Sequence, residues 1–292
     1  MRTGSRRKCP PERLSTHKEQ ERQCGGCIQK KKQISGGAAE RTAGQRKDLA
    51  GRRKCPLLRR EGVIMGSNYK LTYGVDLVFC IDVTMSMDHI LDTVKKNALR
   101  FYQDFQVIMK NKHKNVSELR IRIIAFRDYY YDREQAMLVT DFFHLPDQAA
   151  DFKACLTSIE ASGGGDDEED GLEALAYAMK SKWNTTAQKR RHVIVVWSDD
   201  GTHDLGFGKS APNYPANMAA DFNELTRWWG SRTSPGVMDE SAKRLIIFAP
   251  NKKSWNKITD NWNNVIQYES EAGDGLADCD YEQILSAIGN SI

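Results

Sequence analysis

The stretch 74–87, Gly-Val-Asp-Leu-Val-Phe-Cys-Ile-Asp-Val-Thr-Met-Ser-Met, constrains this chain more than any other. A short apolar run ends in an acid, Asp82. Two hydroxyl residues follow at alternate positions, and the pattern then turns helical. Apolar runs of this length read as strands buried on both faces, which occur where helices cover both sides of a sheet. Asp82 then stands where the strand emerges, with Thr84 and Ser86 on the turn into the following helix. One carboxylate and two hydroxyls at a strand's carboxyl end are hard oxygen donors, the chemistry of a Mg²⁺-type half-site.

Strand and helix patterns alternate from there on. Residues 88–110 repeat apolar side chains at Ile90, Val94, Ala98, Phe101, Phe105 and Ile108, the three- and four-residue spacing of an amphipathic helix. Buried strands are predicted over 75–81, 119–126, 192–197, 244–249 and 265–268, with a shorter antiparallel edge strand over 136–142. Further helices are predicted over 146–159, with Pro146 in its first turn, and over 172–179, 219–229, 255–261 and 281–288. Residues 200–216 read as one long loop. This alternation predicts a single α/β domain over 66–292. It is Rossmann-like and doubly wound, with about six mostly parallel strands, helices on both faces and one antiparallel edge strand. Ligands of such sheets bind at the carboxyl ends of the strands, at a switch in strand order.

Charge divides the chain. Residues 1–64 carry 18 Lys/Arg against 6 Asp/Glu and no Phe, Tyr or Trp; the remainder carries 25 against 33. A basic segment without apolar periodicity cannot offset the entropy of ordering. Residues 1–65 are therefore expected to be a disordered extension, with Met65 a candidate true start. Cys24 and Cys27 make half a zinc site, with Cys9 and Cys55 far off in sequence. The missing aromatics and the acidic remainder argue against nucleic acid as a partner. Seven cysteines is an odd number, and Cys80 and Cys155 fall in apolar patterns as buried thiols. No apolar run nears the ~18 residues of a membrane span, and no signal peptide is recognisable. A reduced, cytoplasmic setting is expected.

Three segments bring acids or hydroxyls to the predicted rim: Asp82 with Thr84 and Ser86, the glycine-rich turn 163–170, and Asp199 after the strand 192–197. Neither a phosphate-binding glycine loop nor a nucleophile elbow is present. An aspartyl nucleophile at Asp82, in a Mg²⁺-dependent phosphoryl-transfer enzyme, is the alternative. Such enzymes need an acid two residues on, and Thr84 occupies that position. The acidic run 166–170 has its own structural reading, with Asp166 or Asp167 as a helix cap and Glu168, Glu169 and Asp170 as first-turn acids. His203 and Asp204 read as solvated loop residues, Trp228 and Trp229 as core. An ion pair is expected at Arg127 and Asp128. At least one of Tyr129, Tyr130 and Tyr131 should reach the surface.

Asp82-Val83-Thr84-Met85-Ser86, Gly163-Gly164-Gly165-Asp166 and Ser198-Asp199 together resemble the metal-site loops of the von Willebrand factor type A (VWA) domain. The resemblance implies a metal-ion-dependent adhesion site holding Mg²⁺ (or Mn²⁺/Ca²⁺). Thr84 and Ser86 would bind the ion directly, and Asp82 and Asp199 directly or through water. A partner protein would supply a further ligand. Asp166 stands where the family usually has Thr. As a fifth ligand it would make the site net −1, which disfavours a carboxylate from the partner. Ala125-Phe126-Arg127-Asp128 and the acidic turn are similar to intracellular bacterial members of the tellurium-resistance type and to members attached to atypical kinases. That likeness implies a non-enzymatic regulatory or scaffold component, docking an unidentified protein beside a kinase or phosphatase, with no membrane involved.

Overall fold

In the computed structural model the described residues are 71–270 and 281–292. The expectations for residues 1–65, including Cys24, Cys27 and Met65, lie outside them. Strand β1 (Thr72–Asp82) lies at the middle of the sheet. Successive side chains of a strand point to opposite faces. Val75, Leu77, Phe79 and Ile81 enter one core, with α1 (Asp88–Asn111), α3 (Ala149–Ser158) and α7 (Tyr281–Ser291) over them. Val78 and Cys80 enter the other, under α4 (Gly171–Met179), α5 (Phe222–Trp229) and α6 (Lys253–Asn261). Two-sided burial is what makes this run apolar in sequence.

The remaining strands are β2 (Asn115–Phe126), β3 (Met137–Val139), β4 (Phe143–Leu145), β5 (Lys189–Trp197), β6 (Lys243–Pro250) and β7 (Val265–Ser270), and a one-turn helix α2 (Tyr129–Asp132) follows β2. Among the described residues the sheet runs β3-β2-β1-β5-β6-β7, with β4 also paired to β2. The β1, β2, β5, β6 and β7 pairings are parallel; β3 and β4 are antiparallel to β2. The single edge strand expected over 136–142 is thus two short strands. Thr140 separates them: its hydroxyl accepts from the Ile123 amide at 3.0 Å, and Arg122 Nε donates to its carbonyl at 2.6 Å. Side-chain bonding of this kind competes with the ladder.

The chain steps from β1 outward to β2, then returns to place β5 on the other side of β1. The switch point therefore opens between the carboxyl ends of β1 and β5, where Asp82 and Ser198-Asp199 emerge. Helix α5 starts three residues later than expected because Asp221 caps it, accepting from the Glu224 amide at 2.7 Å. Trp229 is buried beneath it, stacked on Trp262, and Lys180 lies over the half-buried Trp228 ring.

Candidate metal centre

Thr84 Oγ1 donates to Asp82 Oδ1 at 2.7 Å and lies 3.1 Å from Ser86 Oγ. Ser86 Oγ donates in turn to Asp199 Oδ1 at 3.2 Å, across 113 residues of chain. Asp82, Thr84 and Asp199 are buried, while Ser86 opens to solvent. The 3-10 turn Met85–Met87 presents both hydroxyls on one side, and the Thr84 amide donates to Asp82 Oδ1 at 3.0 Å. Four oxygens from two loops thus sit 2.7–3.2 Å apart in series. Adjacent ligands around an octahedral ion with ~2.0–2.1 Å bonds are about 2.9 Å apart, so the donors are spaced for a small hard dication.

The charge balance fits as well. Asp82 is fully buried and accepts only from neutral groups: Thr84, and Ser198 Oγ on Oδ2 at 2.9 Å. Among the described residues no Lys, Arg or His pairs with it. Burial pushes its carboxyl up to about 7; the Asp199 charge adds to the rise, and the Thr84 and Ser198 hydrogen bonds oppose it. Burial likewise raises Asp199. Two carboxylates drawn together with no cation in direct contact are what a divalent ion neutralises.

Arg127, at the end of β2, holds the rim together. Its guanidinium donates to the carbonyls of Val83, Gln135, Glu160 and Ser162 at 2.6–3.2 Å. It thereby joins the turn after β1 to the segments entering the glycine loop. The expected Arg127–Asp128 ion pair is absent, because one side chain is used up on carbonyls and the other caps α2. The loop itself is close-packed. A Cβ on Gly163, whose φ is +77°, would stand 1.8 Å from Asp132 Oδ1, so glycine is required there on both counts.

Asp166 keeps different company. Its Oδ1 lies 3.1 Å from His203 Nε2, and Asp128 Oδ2 lies 2.9 Å from the same nitrogen. One ligand atom from each of Asp128, Asp166 and His203 falls within 4.8 Å of the others. Among the described residues no hydrogen bond or ion pair ties Asp166 to Asp82, Thr84, Ser86 or Asp199. Glu169 is buried near both groups. Burial, then the charges of Asp82 and Asp128, push its carboxyl up to about 10.

A family model described as the von Willebrand factor A domain matches residues 76–188. That stretch carries a von Willebrand factor A domain. The alpha-protein kinase vwkA of Dictyostelium discoideum is 24% identical over 141 residues, which are 48% of this chain and 21% of that protein. The chain thus matches about a fifth of that relative's length. Among solved structures, the pilus adhesin SpaC of Lactobacillus rhamnosus GG aligns with 75% of this chain and 30% of its own, at 13% identity and a TM-score of 0.43. The type V pilus tip protein Mfa5 of Porphyromonas gingivalis aligns with 45% and 20%, at 18% identity and 0.32.

Several expectations need correction in this VWA domain. The acidic run is neither a cap nor a first turn: α4 begins at Gly171, and its first-turn acid is Glu173. Asp170 occupies the cap position, but its carboxylate accepts from the Tyr129 amide at 2.7 Å instead. Glu169 and Asp170 are buried, and burial together with the Glu173 charge raises Asp170 to about 8. His203 is not a solvated loop residue. It is buried, stacked on Phe207 at 3.8 Å, and its amide donates to the Glu169 carbonyl at 2.9 Å. The 200–216 segment is fastened to α4, since Glu173 Oε1 accepts from the Gly206 amide and the Tyr214 hydroxyl at 2.8 and 2.9 Å. Tyr130 and Tyr131 are exposed as expected, and Tyr129 is buried, all on α2. Sequence reading brought Ser198, Asp128, Glu169 and His203 to the rim or close to it, but gave none of them a part in a metal centre. Their signal was position alone, since each follows a buried strand or the glycine turn within a few residues.

Proposed function

We propose that the rim between β1 and β5 is a divalent-metal-dependent docking site that captures a partner protein and carries out no chemistry of its own. Asp82, Thr84, Ser86 and Asp199 would hold Mg²⁺, or Mn²⁺ or Ca²⁺. A bound dication supplies Lewis acidity toward one oxygen of the partner. The observation that carries this role is the Asp82–Thr84–Ser86–Asp199 series at 2.7–3.2 Å, built on a buried carboxylate with no cation in direct contact.

The chain's own residues complete the surface. Ser198 orients Asp82, and Arg127 fixes the loop carbonyls behind it. Met85 is exposed beside Ser86, and Tyr130, Tyr131 and Phe207 form an exposed aromatic group with ring separations of 5.0 and 5.9 Å. Exposed tyrosine, phenylalanine and methionine are side-chain types enriched where proteins recognise one another. With Asp166 engaged elsewhere, the four donors and a dication are formally neutral, so a carboxylate from the partner is no longer disfavoured. Among the described residues no helix is long and apolar enough to cross a membrane. We extend the role to that of a regulatory or scaffold component of an intracellular complex with a protein kinase or phosphatase, in keeping with the kinase name of the relative.

Capture of partners on the immobilised full chain, with Mg²⁺ and with chelator, tests this. The expected result is partner recovery that needs the ion and is lost in Asp82→Ala. Recovery indifferent to both would exclude a metal-dependent dock.

A further inference from the structure

The Asp128–Asp166–His203 group has no part in the site just described, and its chemistry differs. Asp128 is fully buried. Its Oδ1 is spent on the Tyr130 and Tyr131 amides as the cap of α2, which leaves Oδ2 directed at His203. Oδ2 and Nε2 are 2.9 Å apart, yet neither atom completes a hydrogen bond, and both are sealed from solvent. The contact is an ion pair by distance without the alignment of a hydrogen bond, and buried polar atoms in that condition leave bonding capacity for a further partner. The imidazole cannot easily turn away to find another one. It is stacked on Phe207, 13° from parallel, and its backbone is paired to Glu169. Nδ1 lies 3.8 Å from the Glu168 carboxylate, outside hydrogen-bond range. Asp166 closes the group from the solvent side, with 37% of its side chain exposed, and leaves a path for an ion and for water ligands.

We propose that Asp128 Oδ2, Asp166 Oδ1 and His203 Nε2 form a second divalent-metal site, selective for a transition ion such as Mn²⁺ or Zn²⁺. One imidazole nitrogen and two carboxylate oxygens are a mixed donor set, which such ions accept and Mg²⁺ and Ca²⁺ do not favour. The observed 2.9 and 3.1 Å separations approximate ligand-to-ligand edges around an ion with bonds of ~2.0–2.2 Å. Two carboxylates and a neutral imidazole also balance a dication in charge. The rim then carries two ions of different character. The second site stands independently of the docking role.

Mn²⁺ titration of the full chain, read by electron spin-echo modulation, separates the two. The first centre is all oxygen and gives no directly bound ¹⁴N coupling; the second gives one from His203. Wild type and Asp82→Ala should both show the coupling, and His203→Ala should lose it along with one equivalent of Mn²⁺. Asp166→Asn changes an exposed residue. It should weaken the nitrogen-coupled ion by at least ~10-fold, and it decides the matter should His203→Ala fail to fold. Wild type without ¹⁴N coupling, or Asp166→Asn with unchanged affinity, would overturn the second site and show His203 to be a plain ion-pair partner. Either outcome leaves the Asp82 centre untouched.

Discussion

Asp76 and Asp82 lie on the same face of the same strand, six residues apart, and both are buried. Their surroundings are opposite. Arg120, from the neighbouring strand, grips Asp76 with two hydrogen bonds of 2.8 and 2.7 Å, and the Asn184 amide adds a third at 2.6 Å. Asp82 has hydroxyls, one amide and no cation. The amino end of β1 thus carries its counter-ion within the fold, whereas the carboxyl end leaves the counter-charge to be supplied from outside. Burial alone does not separate these two acids; a cation in contact with one and not the other does.

The contrast can be broken by mutation. The largest expected effect on stability is at the closed end. Arg120→Met strands a buried carboxylate and should cost about 3–5 kcal/mol, read by urea unfolding, while metal affinity in the folded fraction stays as it was. A loss below ~1 kcal/mol would mean that Asp76 is not dependent on its partner. The reverse pattern is expected at the open end. Asp82→Ala and Asp199→Ala should abolish Mg²⁺ or Mn²⁺ binding at this centre in calorimetry, with the fold retained by circular dichroism. A double variant that binds as the parent does would remove the centre.

Mg²⁺, which the all-oxygen centre favours over the nitrogen-containing one, should stabilise the wild type by about 2.7 kcal/mol at a hundredfold excess over Kd, visible as a raised Tm that Asp82→Ala lacks. Ser198→Ala, which frees Asp82 Oδ2 and the weaker contact to the Asp200 carbonyl, should lower affinity about 10-fold; no change would mean that the hydroxyl does not orient the carboxylate. The smallest effect is a pH control away from both ends. Hydrogen bonds from Ser241, and then the Arg190 contact, hold Asp239 down at about 2. Its contribution is therefore present above the ordinary aspartate range near 3.9, and it should be lost as pH falls toward 2. Asp239→Asn should flatten that stretch of the acid stability curve only slightly, because the site is part-exposed.

The sheet was legible in the sequence because two-sided burial leaves uninterrupted apolar runs, and β1, β2, β5 and β6 needed only their ends extended. The break at Thr140 was not legible, since a side chain competing for ladder bonds leaves no periodic trace. At the rim, Asp82, Thr84, Ser86 and Asp199 could be placed because each lies at or just beyond a strand end. The partition of the remaining acids could not.

The sequence by itself determined which residues reach the carboxyl edge of the sheet, because strand period and chain order leave no choice about that. The fold alone decided which acids are paired. Asp76 finds Arg120 across a strand pairing, and Asp128 and Asp166 find His203 across a loop closure. Electrostatic identity depends on distances of a few ångströms between residues tens of positions apart, and only the closed tertiary structure sets those distances.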